Sequence, residues 1–277
     1  MKFEFFLTRW GNDHLSLMEF CKRVQDSGYH GVEMLPPVDA KEKDEMLEAL
    51  TATGLKFICQ VGCWHPAGDY KIVTDDYKAM MLRAFDFHKS WSSDLEFITS
   101  QTGRDYFSFE DNKKLIEWTL KVCGEQDLAI AHETHRGKFA YSASVTRPYI
   151  DAVDELRILA DFSHWACVAE SFLEYEQENL NAAIARTDHI HARVGFDEGP
   201  QVTDPRAPEW QHAVDHHFDW WQRIVDARKK AGMKRTTFTS EFGPFPYLHR
   251  LPYTRQDIIN QWEVNEWMMR QLMNRIC

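Results

Sequence analysis

The sequence predicts a single (β/α)8 barrel over residues 1–277, and three observations carry that expectation. Apolar runs enriched in β-branched and aromatic residues alternate with longer stretches of helical period, the pattern of parallel strands joined by crossover helices. Eight strand-like runs and eight helical stretches can be counted, which matches the closed barrel. A chain of 277 residues can bury a full core of this kind as one domain.

In chain order, the strands are expected at Phe3–Thr8, Gly31–Leu35, Lys56–Val61, Leu95–Thr99, Leu128–Glu133, Arg157–Asp161, His189–Val194 and Thr236–Glu241. The helices fall near 14–27, 40–53, 71–90, 109–124, 143–155, 174–185, 209–231 and 254–275. Ser108 followed by Glu110 and Asp111 makes a helix N-terminal turn, and Gly28, Gly54 and Gly232 stand where helices stop. One connection is long and rich in breakers: 195–208, with Gly199-Pro200 and Asp204-Pro205-Arg206-Ala207-Pro208. It is read as a Pro-rich, lid-like loop over the site.

Composition narrows the function. A formal charge of -11, without any Lys/Arg-rich block, repels phosphate backbones and anionic membrane surfaces, so neither nucleic acid nor a membrane is expected as partner. Cys21, Cys59, Cys63, Cys123, Cys167 and Cys277 are scattered with no C-x-x-C pair, the usage of reduced thiols, and no disulfide is expected. No apolar stretch reaches 18 residues, and the N-terminal run is too short for a signal segment. A cytoplasmic enzyme is the expectation; a homo-oligomer is left open.

Four polar strings sit where strands run out: His132-Glu133-Thr134-His135, Asp161-Phe162-Ser163-His164, His189-Ile190-His191-Ala192-Arg193 and Glu241-Phe242-Gly243-Pro244. Glu133, Asp161 and His191 follow one another at 28 and 30 residues and Glu241 comes 50 later, so one strand per unit gathers all four at one barrel end. Four ionisable groups buried unpaired would be costly, and a shared cation compensates them. Three carboxylates with one imidazole favour Mn²⁺, with Mg²⁺, Co²⁺ or Zn²⁺ also compatible. His189 shares the inward phase of His191 and is read as a deep structural partner, whereas His132 is out of phase with Glu133. His216-His217 and Trp118, Trp220, Trp221, Trp262 and Trp267 lie on helical patterns and are read as packing.

Glu133-x-His135-x-Gly137, Asp161-x-x-His164, His191-x-Arg193 and Glu241-Phe242-Gly243 resemble the strand-end signatures of the xylose-isomerase-like TIM barrel superfamily, in its sugar phosphate isomerase/epimerase branch with the tagatose 3-epimerase-like enzymes. The resemblance spans most of the chain, with its motifs in the second half. It implies one divalent ion held by Glu133, Asp161, His191 and Glu241, with His164 contacting substrate and Arg193 a further substrate-side group. Departures are instructive: apurinic endonucleases with three zinc ions carry extra His ligands where this chain has Gln60 and Ser100 or Gln101, and xylose isomerase itself is longer and uses two metals.

The activity expected is a metal-dependent isomerase or epimerase of carbohydrate metabolism, acting on a ketose or keto-polyol. The ion stabilises an enediolate, and Glu133 and Glu241, from non-adjacent strands, remove and return the proton. Alternatives are a dehydratase or lyase on a keto-sugar or keto-inositol, an endonuclease-like phosphodiesterase, or a sugar-binding barrel without turnover. Trp10, Glu33, Trp64, His65, Gln101, His135, Arg136 and Trp165 fall at or past strand ends, where they can stack on a sugar or bond its hydroxyls. After the last strand, Gly243-Pro244-Phe245-Pro246-Tyr247 has no adjacent Lys, which favours a neutral sugar, while Arg250 and Arg255 keep a phosphorylated one open.

Overall fold

A computed structural model describes residues 1–91 and 95–276. Eight parallel strands close into a barrel in sequence order: β1 Lys2–Thr8, β2 Gly31–Met34, β3 Lys56–Gly62, β4 Leu95–Gln101, β5 Ile130–Glu133, β6 Ile158–Ala160, β7 Thr187–Ala192 and β8 Arg235–Ser240. Closure runs through β1 and β8, paired from Lys2 with Arg235 to Leu7 with Ser240. All eight expected strands are present, with ends moved by at most two residues.

Among the described residues the helices are α1 Leu17–Asp26, α2 Ala40–Thr53, α3 Tyr70–Ser90, α4 Phe109–Gly124, α5 Ala143–Ala152, α6 Phe162–Ala169, α7 Gln177–Ala185, α8 Gln211–Lys230 and α9 Gln261–Arg275. All but α7 and α8 start on a side-chain cap, as at Ser16, whose hydroxyl accepts from Glu19 N while Glu19 reaches back to Ser16 N. Ser108 caps α4 as the sequence anticipates. The ninth helix, α6, is a correction. It begins at Asp161, whose carboxylate accepts from Ser163 N, and its residues Phe162 to Ala166 are all buried, so it shows no polar face by which to recognise it. The last helix starts seven residues later than expected because 250–257 folds back on itself, with Arg250 bridged to Asp257.

The core fills the space between barrel and helices, with Trp220 and Trp221 of α8 and Phe238 of β8 fully covered. Inside the barrel, Phe6, Ile58 and Phe97 form a separate apolar plug. Toward the strands' N-terminal end, buried Glu4 meets Lys2, Lys56 and Arg235, and Lys56 and Arg235 also meet Glu96. That ionic floor leaves the other end of the barrel for chemistry. The loop 195–208 is fastened down: Gly195 N–H donates to His217 Nε2, and Gln201 exchanges two hydrogen bonds with the backbone of Gly243. Cys21, Cys59, Cys63, Cys123 and Cys167 are free thiols, and Cys277 lies outside the described residues. No helix among the described residues is long and apolar enough to cross a membrane.

Candidate metal centre

The ends of β5 to β8 bring the four polar strings together. Glu133 closes β5, Asp161 follows β6, His191 lies in β7 and Glu241 follows β8. All four side chains are buried, and one ligand atom from each lies within 4.8 Å of the others. Alternation along the strand explains the choice of atoms: His189 and His191 share the interior face, one layer apart, with ring centroids 5.5 Å apart.

Beneath the cluster, hydrogen bonds fix the orientation of His191. Glu33 of β2 is 1 % exposed and accepts hydroxyl hydrogens from Thr99 and Thr239, each at 2.6 Å. His191 Nε2 lies 3.1 and 3.0 Å from the two Glu33 oxygens. Burial alone would raise the Glu33 carboxyl, but the His191 and His189 imidazoles overcome it and hold it well below the usual carboxylate range. Glu33 is therefore an ionised acceptor, Nε2 carries the proton, and Nδ1 is turned toward Glu241 at 2.7 Å and Glu133 at 3.8 Å. His189 completes the layer, bonded to Thr237 and Thr239 at 2.7 and 2.9 Å, the structural role its phase implies. Glu33 reaches the cavity, as its place near the end of β2 leads one to expect, and it also orients His191, a second role that spacing alone does not signal.

The donor set fits a divalent cation. Both carboxylate oxygens of Glu133, Nδ1 of His191 and Oε2 of Glu241 are buried without a hydrogen-bond partner. The short His191–Glu241 contact lacks hydrogen-bond geometry and so satisfies neither atom. Orphaned polar groups of this kind cost several kcal/mol unless a cation gathers them. Burial, with the Glu241 and Asp161 charges, pushes the Glu133 carboxyl up to about 8 against the pull of His191. Burial likewise raises Asp161, although the Arg193 guanidinium sits on its carboxylate and opposes the rise. His191 is raised too, but against its burial: burial would lower it, and Glu241 and Glu33 carry it well above the usual imidazole range.

Above the cluster opens a cavity of about 480 Å³, the size of a small-molecule site. Of the residues anticipated on its wall, Trp10, Glu33, Trp64, Gln101, His135, Arg193 and Glu241 are there, joined by Tyr247, Met34, Leu35, Met46, Asp13 and Glu42. Trp64 Nε1 donates to Gln101 Oε1 at 2.5 Å, which leaves the Gln101 amide hydrogens to the cavity. The Arg193 guanidinium lies 4.8 Å from the Tyr247 ring centroid and 5.9 Å from that of Trp10. Two expected substrate contacts are placed elsewhere. Trp165 does not reach the cavity: α6 turns it into the core, where it is fully buried, stacks on Phe162 and donates to Ala140 O. His164 is also fully buried, under His135 with ring centroids 3.8 Å apart, and its Nε2 accepts from Arg193 Nη2 at 2.9 Å. His132 points away from the cavity, bonded through Nδ1 to Thr102. No residue of 195–208 lines the cavity among the described residues.

The fold recurs in solved structures. A 3-keto-D-glucoside 4-epimerase from E. coli is 13 % identical, with a TM-score of 0.63 over 99 % of this chain and 100 % of the other. The probable 3-DHS dehydratase of petrobactin synthesis from Bacillus anthracis is 12 % identical, with a TM-score of 0.60 over 98 % and 99 %. A xylose isomerase-like TIM barrel protein from Mycobacterium smegmatis, solved in complex with magnesium, is 8 % identical, with a TM-score of 0.62 over 99 % and 97 %. No curated protein sequence matches the chain. At these identities the likeness is one of fold, but a sequence model of one family matches residues 21–241, which include all four clustered side chains. The chain belongs to the xylose isomerase-like TIM barrel family.

Proposed function

We propose that the protein is a divalent-metal-dependent isomerase or epimerase of a keto-sugar or keto-polyol, with Glu133, Asp161, His191 and Glu241 as metal ligands. One observation carries this reading: four buried side chains from four successive strands converge within 4.8 Å, with unpartnered ligand atoms on Glu133, His191 and Glu241, at the floor of a cavity sized for a small molecule. The ion supplies Lewis-acid polarisation of a substrate carbonyl, which acidifies the neighbouring C–H. Three carboxylates and one imidazole suit Mn²⁺ and also accept Mg²⁺, Co²⁺ or Zn²⁺.

The chain's own groups do the rest. Glu133 and Glu241 project from β5 and β8, with β6 and β7 between them. One carboxylate takes the proton from the carbon beside the carbonyl, and the other returns a proton to the opposite face or to the next carbon. Glu241 stands on the cavity wall, so its oxygen is the one that reaches substrate first. Arg193, held by Asp161, offers its remaining N–H groups to a substrate oxygen, with His164 positioning it from below. Trp10, Trp64 and Tyr247 present ring faces to the sugar, and Gln101 and His135 bond its hydroxyls. Asp13 and Glu42 on the same wall, with the net charge of -11, favour a neutral substrate over a phosphodiester.

The dehydratase reading uses the same proton abstraction and differs only in what leaves. Incubation of metal-loaded protein in D2O with ketoses, 3-keto-glycosides and inososes separates the two by mass and NMR. Deuterium on the carbon beside the carbonyl, with no loss of water and no exchange in Asp161→Ala, is the expected result. Loss of water identifies a dehydratase. Absence of exchange across the panel, or full activity in Asp161→Ala, overturns the proposal.

A further inference from the structure

We infer that the substrate is a two-ring glycoside: the ring bearing the ketone lies over the cluster of Glu133, Asp161, His191 and Glu241, and a second sugar ring fills the part of the cavity beyond β1 and β2. Which ring reacts rests on the metal reading above and deepens it. The place for a second ring does not depend on it.

Size comes first. The cavity measures about 480 Å³, whereas a single six-carbon sugar needs roughly 200 Å³ at the packing density of a protein interior. One ring over the cluster leaves the larger part of the space unfilled. Strand order gives the direction of the surplus. The cluster is built on β5 to β8, β8 pairs with β1, and β1 pairs with β2. Beyond Glu241 the wall therefore passes to Arg9 and Asp13 after β1, Met34 and Leu35 at the end of β2, and Glu42 and Met46 of α2.

The chemistry of this wall suits hydroxyl groups. Arg9 Nε is buried without a hydrogen-bond partner, and Nη2 makes only a long contact of 3.4 Å to Leu15 O. Among the described residues Arg9 makes no ion pair, although Asp13 and Glu42 border the same space. Glu42 Oε2 accepts from Val38 N–H at 2.8 Å, leaving Oε1 for a ligand. A charged donor and two carboxylates that border one space unpaired are satisfied together by a neutral polyol, whose hydroxyls accept from the guanidinium and donate to the carboxylates. An anion would suit Arg9 but be repelled by Asp13 and Glu42. Met34 and Met46 are buried and Leu35 is half exposed, so the polar set is backed by an apolar surface, the complement of the C–H face of a sugar ring.

Sugar binding tests this without any assay of turnover. The full-length chain, metal-loaded and separately stripped by chelator, is titrated by calorimetry with methyl glucosides, with cellobiose, maltose, gentiobiose and trehalose, and with gluconate. At least one disaccharide should bind about 10-fold more tightly than the methyl glucosides, the worth of one hydrogen bond to a charged donor. In Arg9→Met that advantage should shrink to about threefold or less as the donor is lost. Leu35→Tyr, which adds bulk at a half-exposed position and spares the fold, should abolish it. Affinity for the methyl glucosides should stay the same in both variants. Equal affinity for one ring and two, failure of every disaccharide to bind, or an advantage that survives both substitutions overturns the second ring and leaves the isomerase reading standing. Tighter binding of gluconate than of any disaccharide assigns Arg9 to a carboxylate and overturns it too. A disaccharide advantage lost in both variants, with no bound ion and no deuterium exchange, keeps the second ring and sinks the isomerase reading.

Discussion

His191 on β7 and Glu33 on β2 face each other across the barrel interior, with Nε2 within 3.1 Å of both carboxylate oxygens. The interaction turns Nδ1 of the same ring toward Glu133 and Glu241. Substituting Glu33→Gln preserves the shape and leaves one of the two threonine hydroxyls, Thr99 or Thr239, its acceptor, so the chain should still fold, but it loosens the ring. Loss of such an orienting partner typically costs about 10–100-fold in metal affinity. Competition against a chelator of known affinity measures it, and an unchanged affinity would deny Glu33 this role.

The metal-free protein should lose stability as pH rises across the neutral range. Folded Glu133 keeps its proton to about pH 8, whereas the unfolded chain gives it up near the ordinary value of 4.5. Between those limits the native state binds more protons, so unfolding becomes easier as pH increases. Urea midpoints between pH 5 and 8 should fall, and Glu133→Gln should flatten that slope. Saturating Mn²⁺ should reverse the trend, because a cation and a proton compete for the same oxygens.

Acid should act through a different residue. Burial lowers His132 to about 3 from an ordinary 6.5. As pH drops through that window the unfolded chain takes up a proton that the native state refuses, and stability falls with a slope approaching ~1.4 kcal/mol per pH unit for this one group. His132→Gln removes the titrating ring and should remove that share of the acid sensitivity, read from denaturation midpoints between pH 6.5 and 3.5.

Gly243 is required by its neighbour. A Cβ at this position would overlap the ring of Trp10, itself packed edge-on against Tyr247 at 5.1 Å. Gly243→Ala must therefore displace Trp10 from the cavity wall. A rise in KM with a smaller change in kcat is expected, with a loss of stability on the order of 1–3 kcal/mol from overpacking. Unchanged KM would mean that Trp10 does not touch substrate.

Gln101 should behave as a substrate-binding group rather than a structural one. With its carbonyl tied to Trp64 Nε1, its amide hydrogens remain for a hydroxyl. Gln101→Ala should lower kcat/KM by about 10-fold, in line with a lost neutral hydrogen bond of roughly 1 kcal/mol. Thermal unfolding reveals whether the loss reflects the contact or the fold.

Much of this was legible from residues alone. Most of the eight strands announce themselves as short runs rich in apolar or β-branched residues, and the four clustered side chains because polar groups at the ends of such runs are conspicuous. What could not be read were features set by tertiary direction. Trp165 stands four residues after Asp161, close enough to a strand end to suggest the cavity, but α6 intervenes and swings it into the core. Glu33 lines the cavity as its spacing implies, but its bond to His191 across the barrel depends on which strands face each other and is not written in sequence spacing. His164 carries the right neighbours in its motif, yet only the coordinates show His135 lying across it.

The fastening of 195–208 has a consequence for mutagenesis of the cavity. Gln201 grips both backbone polar groups of Gly243, and His217 holds the loop where it leaves β7. That loop is tied to the turn after β8. The cavity beside it is bounded by Asp13, Leu35, Glu42 and Met46, from the segments after β1 and β2, and Leu35 is half exposed. Substitutions at Asp13, Leu35, Glu42 or Met46, all in the first third of the chain, are therefore expected to alter KM, while substitutions of the four clustered side chains are expected to alter metal content, so the two can be varied separately.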